Sequence, residues 1–161
     1  MNKIKIKSKE LVDKLIEKNL KITSAESCTG GLFAASITSI SGSSGCFEGS
    51  FVTYSNEIKN KIINVKKETL SNYGAVSKEC VIEMAENSRQ IMEADISIAI
   101  SGIAGPDGGS EEKPVGLVWI CLYAENYTKP YKIIFSGDRY KIREESVIFS
   151  LDLDLDFIDN L

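Results

Sequence analysis

Apolar residues at Leu11, Val12, Leu15, Ile16 and Leu20 fall on one helical face, so the spacing predicts a first helix over Ser8 to Leu20, with Ser8 as its cap. A short strand over Lys21 to Ser24 follows, and a helix of small residues over Leu32 to Ile40 is broken by Ser41 to Gly45. Phe51 to Tyr54 is aromatic and β-branched, as a strand would be; Ser55 or Asn56 then caps a helix running to Ile63. Lys66 to Tyr73 reads as a helical turn ended by Gly74. Ser77, Glu79 and the set Val81, Ile82, Met84, Ala85 and Ile91 predict a capped amphipathic helix over Ser77 to Met92. Asp95 to Ile100 is a compact apolar run of the kind found in a central strand buried on both faces. Val115 to Ala124 and Lys132 to Phe135 read as antiparallel strands, and Ser136 to Arg139 opens a final helix. Phe149 to Phe157 alternates like a strand, yet Val147, Leu151, Leu155 and Ile158 mark a helical face; helix is the reading adopted, because no turn intervenes after Arg143 to Ser146. The order predicts one domain over residues 1–161, a three-layer α/β/α sandwich with a mixed, mostly parallel sheet.

Composition narrows the chemistry. The chain has 161 residues, enough for a proper core, and a net charge of −4, which argues against nonspecific nucleic-acid binding. No stretch is apolar enough to cross a membrane, and Met1 to Glu10 alternates Lys with Ile where a signal peptide would be apolar, so a cytoplasmic location is expected. Cys28, Cys46, Cys80 and Cys121 are scattered without a Cys-x-x-Cys pair, so free thiols are expected rather than zinc ligands or disulfides. There is no histidine at all, which removes Ser-His-Asp and Cys-His catalysis together. A serine nucleophile here needs Lys, Tyr or a carboxylate as its base.

Ser24 to Gly31 reads Ser-Ala-Glu-Ser-Cys-Thr-Gly-Gly at a strand-to-helix junction, where a turn exposes a hydroxyl and backbone N–H groups face a developing anion. Ser27 is the candidate nucleophile and Cys28 its rival. The same residues also fit a plain helix start in which Thr23 or Ser24 caps and Glu26 or Thr29 supports the first turn. Lys59, one helical turn beyond a strand end, is the candidate base if burial keeps its amine neutral; the alternative is a solvated lysine beside Lys61, Lys66 and Lys67. Tyr54, at that strand end, can point into the same crevice. The glycine segment from Gly102 to Gly109 lacks the Gly-Lys-Ser/Thr ending of a P-loop; a ligand-binding loop and a simple tight connection both remain open. Ser110 to Lys113 matches Ser-x-x-Lys by chance, since Pro114 and two glycines exclude a helix, although Lys113 can still face an anion. Arg139 and Arg143 share a helix face and can fork a phosphate or pair with neighbouring acids. Asp152, Asp154 and Asp156 lack the rest of a calcium loop and are expected to form a solvated face.

Ala25-Glu-Ser-Cys-Thr-Gly-Gly31, Phe51-Val-Thr-Tyr-Ser-Asn-Glu57 with Lys59, Gly74-Ala-Val-Ser77, the run from Ser101 to Gly116 and Phe135-Ser-Gly-Asp-Arg139 together resemble the CinA C-terminal domain family over nearly the whole chain. Its characterised members are nicotinamide-nucleotide amidases. The resemblance implies hydrolysis of nicotinamide mononucleotide to nicotinate mononucleotide and ammonia, in pyridine nucleotide recycling, by a Ser/Lys mechanism without metal or cofactor. The roles fall on Ser27 and Lys59, with Tyr54 beside them to relay a proton or fix the lysine. Substrate contacts are expected from Cys28, Thr29, Gly30 and Gly31, from Ser55 and Asn56, and from Gly102, Ile103, Ala104 and Gly105, with the phosphate on Lys113, Arg139 or Arg143. Some relatives carry a further N-terminal domain, which this chain is expected to lack. A homodimer is expected from family habit, with no nucleic-acid or membrane partner. Two rival readings are a noncatalytic nucleotide-binding module and a phosphotransferase using the glycine loop.

Overall fold

The computed structural model describes residues 2–161. Its centre is β3 (Ile96–Gly102), flanked by β1 (Ile22–Glu26) and β4 (Leu117–Ala124), with β2 (Phe51–Val52) and β5 (Tyr127–Ile134) at the edges, in the order β2–β1–β3–β4–β5. β1 pairs in parallel with β2 and β3, while β4 is antiparallel to both β3 and β5. Four strands therefore share one direction and β4 alone opposes them, which is the expected mixed sheet.

Helices α1 (Lys3–Glu17), α2 (Leu32–Thr38) and α6 (Arg139–Asp159) cover one face, and α3 (Asn56–Ile63), α4 (Lys67–Tyr73) and α5 (Lys78–Met92) the other. The alternation in β3 explains the two layers. Ile96, Ile98 and Ile100 pack with Val118, Ile120 and Leu122 against Leu11, Leu15, Val147 and Leu151. The small residues between them face α5 and let it approach: Ala99 joins Ala25, Cys121, Val81, Met84 and Ala85, and Ser97 Oγ lies 2.8 Å from Ser88 Oγ. Burial on both faces is why this strand has no polar side.

Several boundaries differ from the sequence expectation. α1 starts at Lys3, capped by Asn2, whose side chain accepts the Ile4 N–H; Ser8 is buried inside the helix. β5 starts at Tyr127, five residues before the expected Lys132, because Glu125 and Asn126 form a two-residue hairpin turn with Asn126 at φ 60°. Pro130 is accommodated because β5 is an edge strand. The terminal segment is helical: Asp138 caps α6 by accepting the Lys141 N–H, and Val147, Leu151, Leu155 and Ile158 are buried. Asp154 corrects the expected solvated face, since its carboxyl is wholly buried with neither oxygen partnered among the described residues. Asp152 and Asp156 are exposed. Among the described residues no helix is long and apolar enough to cross a membrane. The C-terminal ends of β1, β2 and β3 meet the start of β4 along one edge of the sheet, and the candidate site lies there.

Candidate active site

The turn after β1 is held from both ends. Ser27 N–H donates to Ile100 O at 2.9 Å, which extends the β1–β3 ladder one residue past the strand. Gly30 and Gly31 then take φ of 59° and 101°, a left-handed conformation that L side chains rarely adopt, and Gly31 opens α2. A glycine offers no capping side chain, so Glu26 does the capping from outside the helix. Its buried carboxylate accepts the Phe33 N–H at 2.9 Å, the Ala34 N–H at 3.0 Å, the Thr29 hydroxyl at 2.7 Å and the Ser24 hydroxyl at 3.3 Å. Of the helix-start alternatives, Glu26 and Thr29 thus support the first turn, while Thr23 and Ser24 lie within β1. From α6, Arg143 donates Nε–H to Cys28 O and Nη2–H to Thr29 O, both at 3.0 Å, and fixes those peptide planes. Gly30 and Leu32 N–H are taken by Ser27 O and Thr29 O; the Cys28, Thr29 and Gly31 N–H groups have no acceptor among the described residues.

Lys59 approaches Ser27 from the neighbouring connection. Thr53 N–H donates to Glu26 O at 2.8 Å, which draws the chain after β2 alongside the turn. Ser55 caps α3 by accepting the Ile58 N–H, and Lys59, one turn into that helix, folds its side chain back beneath. Its Nζ lies 2.9 Å from Ser27 Oγ, 2.7 Å from Thr53 O and 3.0 Å from Tyr54 O. The residue is 0% exposed and makes no ion pair among the described residues. Burial lowers its pKa from 10.5, against a smaller opposing influence of the Cys80 and Cys28 thiols. Nζ donates to the two carbonyls and to Ser27 Oγ, whose own hydroxyl lies 3.3 Å from Tyr54 O; on losing one proton the amine would turn a lone pair to that Oγ. Cys28 is no match as nucleophile, because burial pushes its thiol up to about 11 and keeps it protonated near neutral pH.

A pocket of about 240 Å³ opens over this pair, walled by Tyr54, Val76, Ser101, Gly102, Ala104 and Arg139. Tyr54 holds Lys59 through its carbonyl oxygen, while its exposed phenol accepts from Arg139 Nη2 at 3.2 Å. Arg139 Nη1 donates to Gly105 O at 2.7 Å, tying α6 to the glycine loop. Ile103 N–H donates to Leu117 O, and Gly116 N–H returns to Ile103 O, so this residue secures the loop from below. Ser101, absent from the candidates drawn from sequence, is buried on the pocket wall with its hydroxyl unpartnered among the described residues. The signal that could have found it was its position, level with Ser27 at the end of the adjacent strand.

Lys113, Ser55, Asn56 and Arg143 do not line this pocket. Lys113 sits in a neighbouring groove and donates to Tyr73 O at 2.6 Å. Ser55 is spent on its cap, and Asn56 lines a larger open groove of about 510 Å³ between α3 and α4 that contains no reactive pair. Arg143 braces the turn and does not line the pocket.

The structure is thus an α/β protein with a buried serine–lysine pair at the C-terminal edge of a mixed sheet. Comparison with known proteins then gives the family. Residues 5–158 match the CinA C-terminal domain, and the chain belongs to that family. It is 47% identical over 149 residues to a CinA-like protein of Thermosipho melanesiensis, covering 89% of this chain and 37% of the relative. A CinA-like protein of Endomicrobium trichonymphae is 51% identical over 139 residues, or 86% of this chain and 32% of that protein. The chain thus spans about a third of the length of these relatives. Among solved structures, a competence-damaged protein (CinA) superfamily member from Klebsiella pneumoniae superposes with a TM-score of 0.95 at 32% identity, covering 100% of both chains. The competence/damage inducible protein CihA from Agrobacterium tumefaciens gives 0.95 at 35% identity, covering 99% of this chain and 97% of that one.

Proposed function

We propose that this domain is a nicotinamide-nucleotide amidase that hydrolyses nicotinamide mononucleotide through a Ser27 acyl-enzyme. The observation that carries the reading is Lys59: fully buried, without a counter-ion among the described residues, its Nζ 2.9 Å from Ser27 Oγ. Neutral Lys59 takes the Ser27 proton as Oγ attacks the carboxamide carbon. The oxyanion forms beside the unused N–H groups of Cys28 and its neighbours, which Arg143 holds in place. The Lys59 ammonium then returns its proton to the departing nitrogen, and ammonia leaves. Water attacks the resulting ester, gives its proton to Lys59, and the Ser27 oxygen recovers that proton as nicotinate mononucleotide departs. The substrate's pyridinium charge beside Lys59 disfavours the ammonium further. The unpartnered Ser101 hydroxyl is placed to hydrogen-bond the carboxamide and fix its plane.

The test is ammonia release from nicotinamide mononucleotide, with EDTA present, by wild type, Ser27→Ala, Lys59→Ala and Cys28→Ala. The proposal expects at least about a thousandfold loss in the first two variants and retained turnover in the third. Loss confined to Cys28→Ala would move the nucleophile. No ammonia from the wild type would overturn the amidase reading and leave a noncatalytic nucleotide-binding module, which nucleotide binding without turnover would establish.

A further inference from the structure

We infer that the anionic end of the substrate is received in the groove next to the reaction pocket, by Lys78, Lys113 and Lys132, and that this groove sets the preference for a nucleotide over its nucleoside. The inference rests on the amidase reading for the identity of the substrate and on the fold for the place. The groove encloses about 360 Å³ and shares Val76 as a common wall with the pocket over Ser27. Its floor is Trp119, half-buried on β4, with Lys132 directly opposite on β5. Lys78 comes from the first turn of α5 and Lys113 from the end of the glycine loop. Glu79 and Glu112 also line it, leaving one more positive charge than negative.

Sheet register gives the direction in which a ligand must lie. Glu26 pairs with Ile100, which puts Ser27 level with Ser101; Ser101 pairs with Trp119, and Trp119 with Lys132. Two residues back along each strand, Ala25, Ala99 and Cys121 pack against α5, so the row from Ser27 to Lys132 projects on that same face. Three strand spacings separate its ends, or about 14 Å. A bare amide occupies only the first position. A ring, sugar and phosphate extended across Trp119 reach the last, where long lysine side chains come back to meet them.

The other cations near the site are already engaged. Both ends of the Arg143 guanidinium are on the Cys28 and Thr29 carbonyls, and Arg139 bridges Gly105 O and the Tyr54 hydroxyl. Lys113 gives one bond to Tyr73 O and has two N–H groups left. The ammonium groups of Lys78 and Lys132 have no hydrogen-bond or ion-pair partner among the described residues, although acids stand nearby.

The experiment measures kcat/KM for nicotinamide mononucleotide and for nicotinamide riboside, which lacks the phosphate, in wild type, the Lys78→Gln/Lys132→Gln double variant and Arg139→Gln. The nucleotide-to-nucleoside ratio is the readout, because any loss of folded protein cancels from it. In the double variant the ratio falls at least about tenfold, mainly through KM for the nucleotide. A ratio that stays at the wild-type value, or that falls only in Arg139→Gln, overturns the assignment. If the wild type turns over neither compound, the amidase reading fails by itself, and titration calorimetry with ribose 5-phosphate decides the groove. Binding that the double variant weakens about tenfold supports it; equal binding, or none to the wild type, overturns it.

Discussion

Replacing Glu26 by Gln isolates the group that builds the nucleophile's turn. The carboxylate accepts four hydrogen bonds, two on each oxygen: Thr29 and Phe33 on Oε1, Ser24 and Ala34 on Oε2. A glutamine carbonyl can serve one pair, and its NH₂ must then face the other. A hydroxyl can turn to accept from that amide, but a backbone N–H cannot. One buried N–H is therefore orphaned, at about 1–3 kcal/mol. The negative charge at the start of α2 is lost as well, about 0.3–1 kcal/mol more. The sum, about 1.3–4 kcal/mol, corresponds to a fall of about 1 M in the urea midpoint at an unchanged m-value. Equilibrium urea unfolding followed by Trp119 fluorescence measures it. A loss below about 0.5 kcal/mol, the scatter of ordinary surface substitutions, would refute the view that this carboxylate assembles the turn.

Two further substitutions test other parts of the fold. Gly116 has φ 97°, and an added Cβ would stand 2.1 Å from Phe135 O, so Gly116→Ala combines left-handed strain with a backbone collision. It is expected to cost about 3 kcal/mol or more in the same unfolding assay, and a cost under 1 kcal/mol would contradict the packing described. Burial raises the pKa of Asp154 well above 3.8. A carboxyl whose folded pKa is raised binds its proton more tightly in the native state. Its ionisation therefore removes stability as pH rises from about the unfolded pKa towards the folded value. Asp154→Leu should stabilise the protein by about 1–3 kcal/mol at pH 7, with a gain that shrinks towards pH 4. A gain independent of pH would refute the assignment of that slope to Asp154.

How much of this was legible in the sequence depended on whether the signal was local. The α5 cap at Ser77 and the α3 cap at Ser55 could be read because a cap lies three residues from the N–H it serves. The apolar spacing of the LDLDLD segment marks a helix, but that spacing does not reveal that Asp154 turns inward. The sequence pattern clips β5 because Lys129 and Pro130 have poor strand character, and Pro130 is tolerated at an edge position. The turn containing Ser27 and the position of Lys59 stood out because both lie at strand ends. What binds them together did not: Arg143 reaches the Cys28 carbonyl across 115 positions, and a backbone acceptor leaves no mark in sequence. For the same reason Tyr54 could be picked out, but not that its carbonyl rather than its phenol would hold the lysine.

The central claim is that Lys59 is a neutral amine able to accept the Ser27 proton. The most direct measurement is the titration of its side chain by ¹³Cε and ¹⁵Nζ NMR on lysine-labelled protein, assigned with Lys59→Ala. The account predicts an ionisation below 10.5, matched by the rising alkaline limb of kcat/KM for ammonia release. A Lys59 that titrates at or above 10.5 would be an ammonium at working pH, and the serine–lysine mechanism would be contradicted.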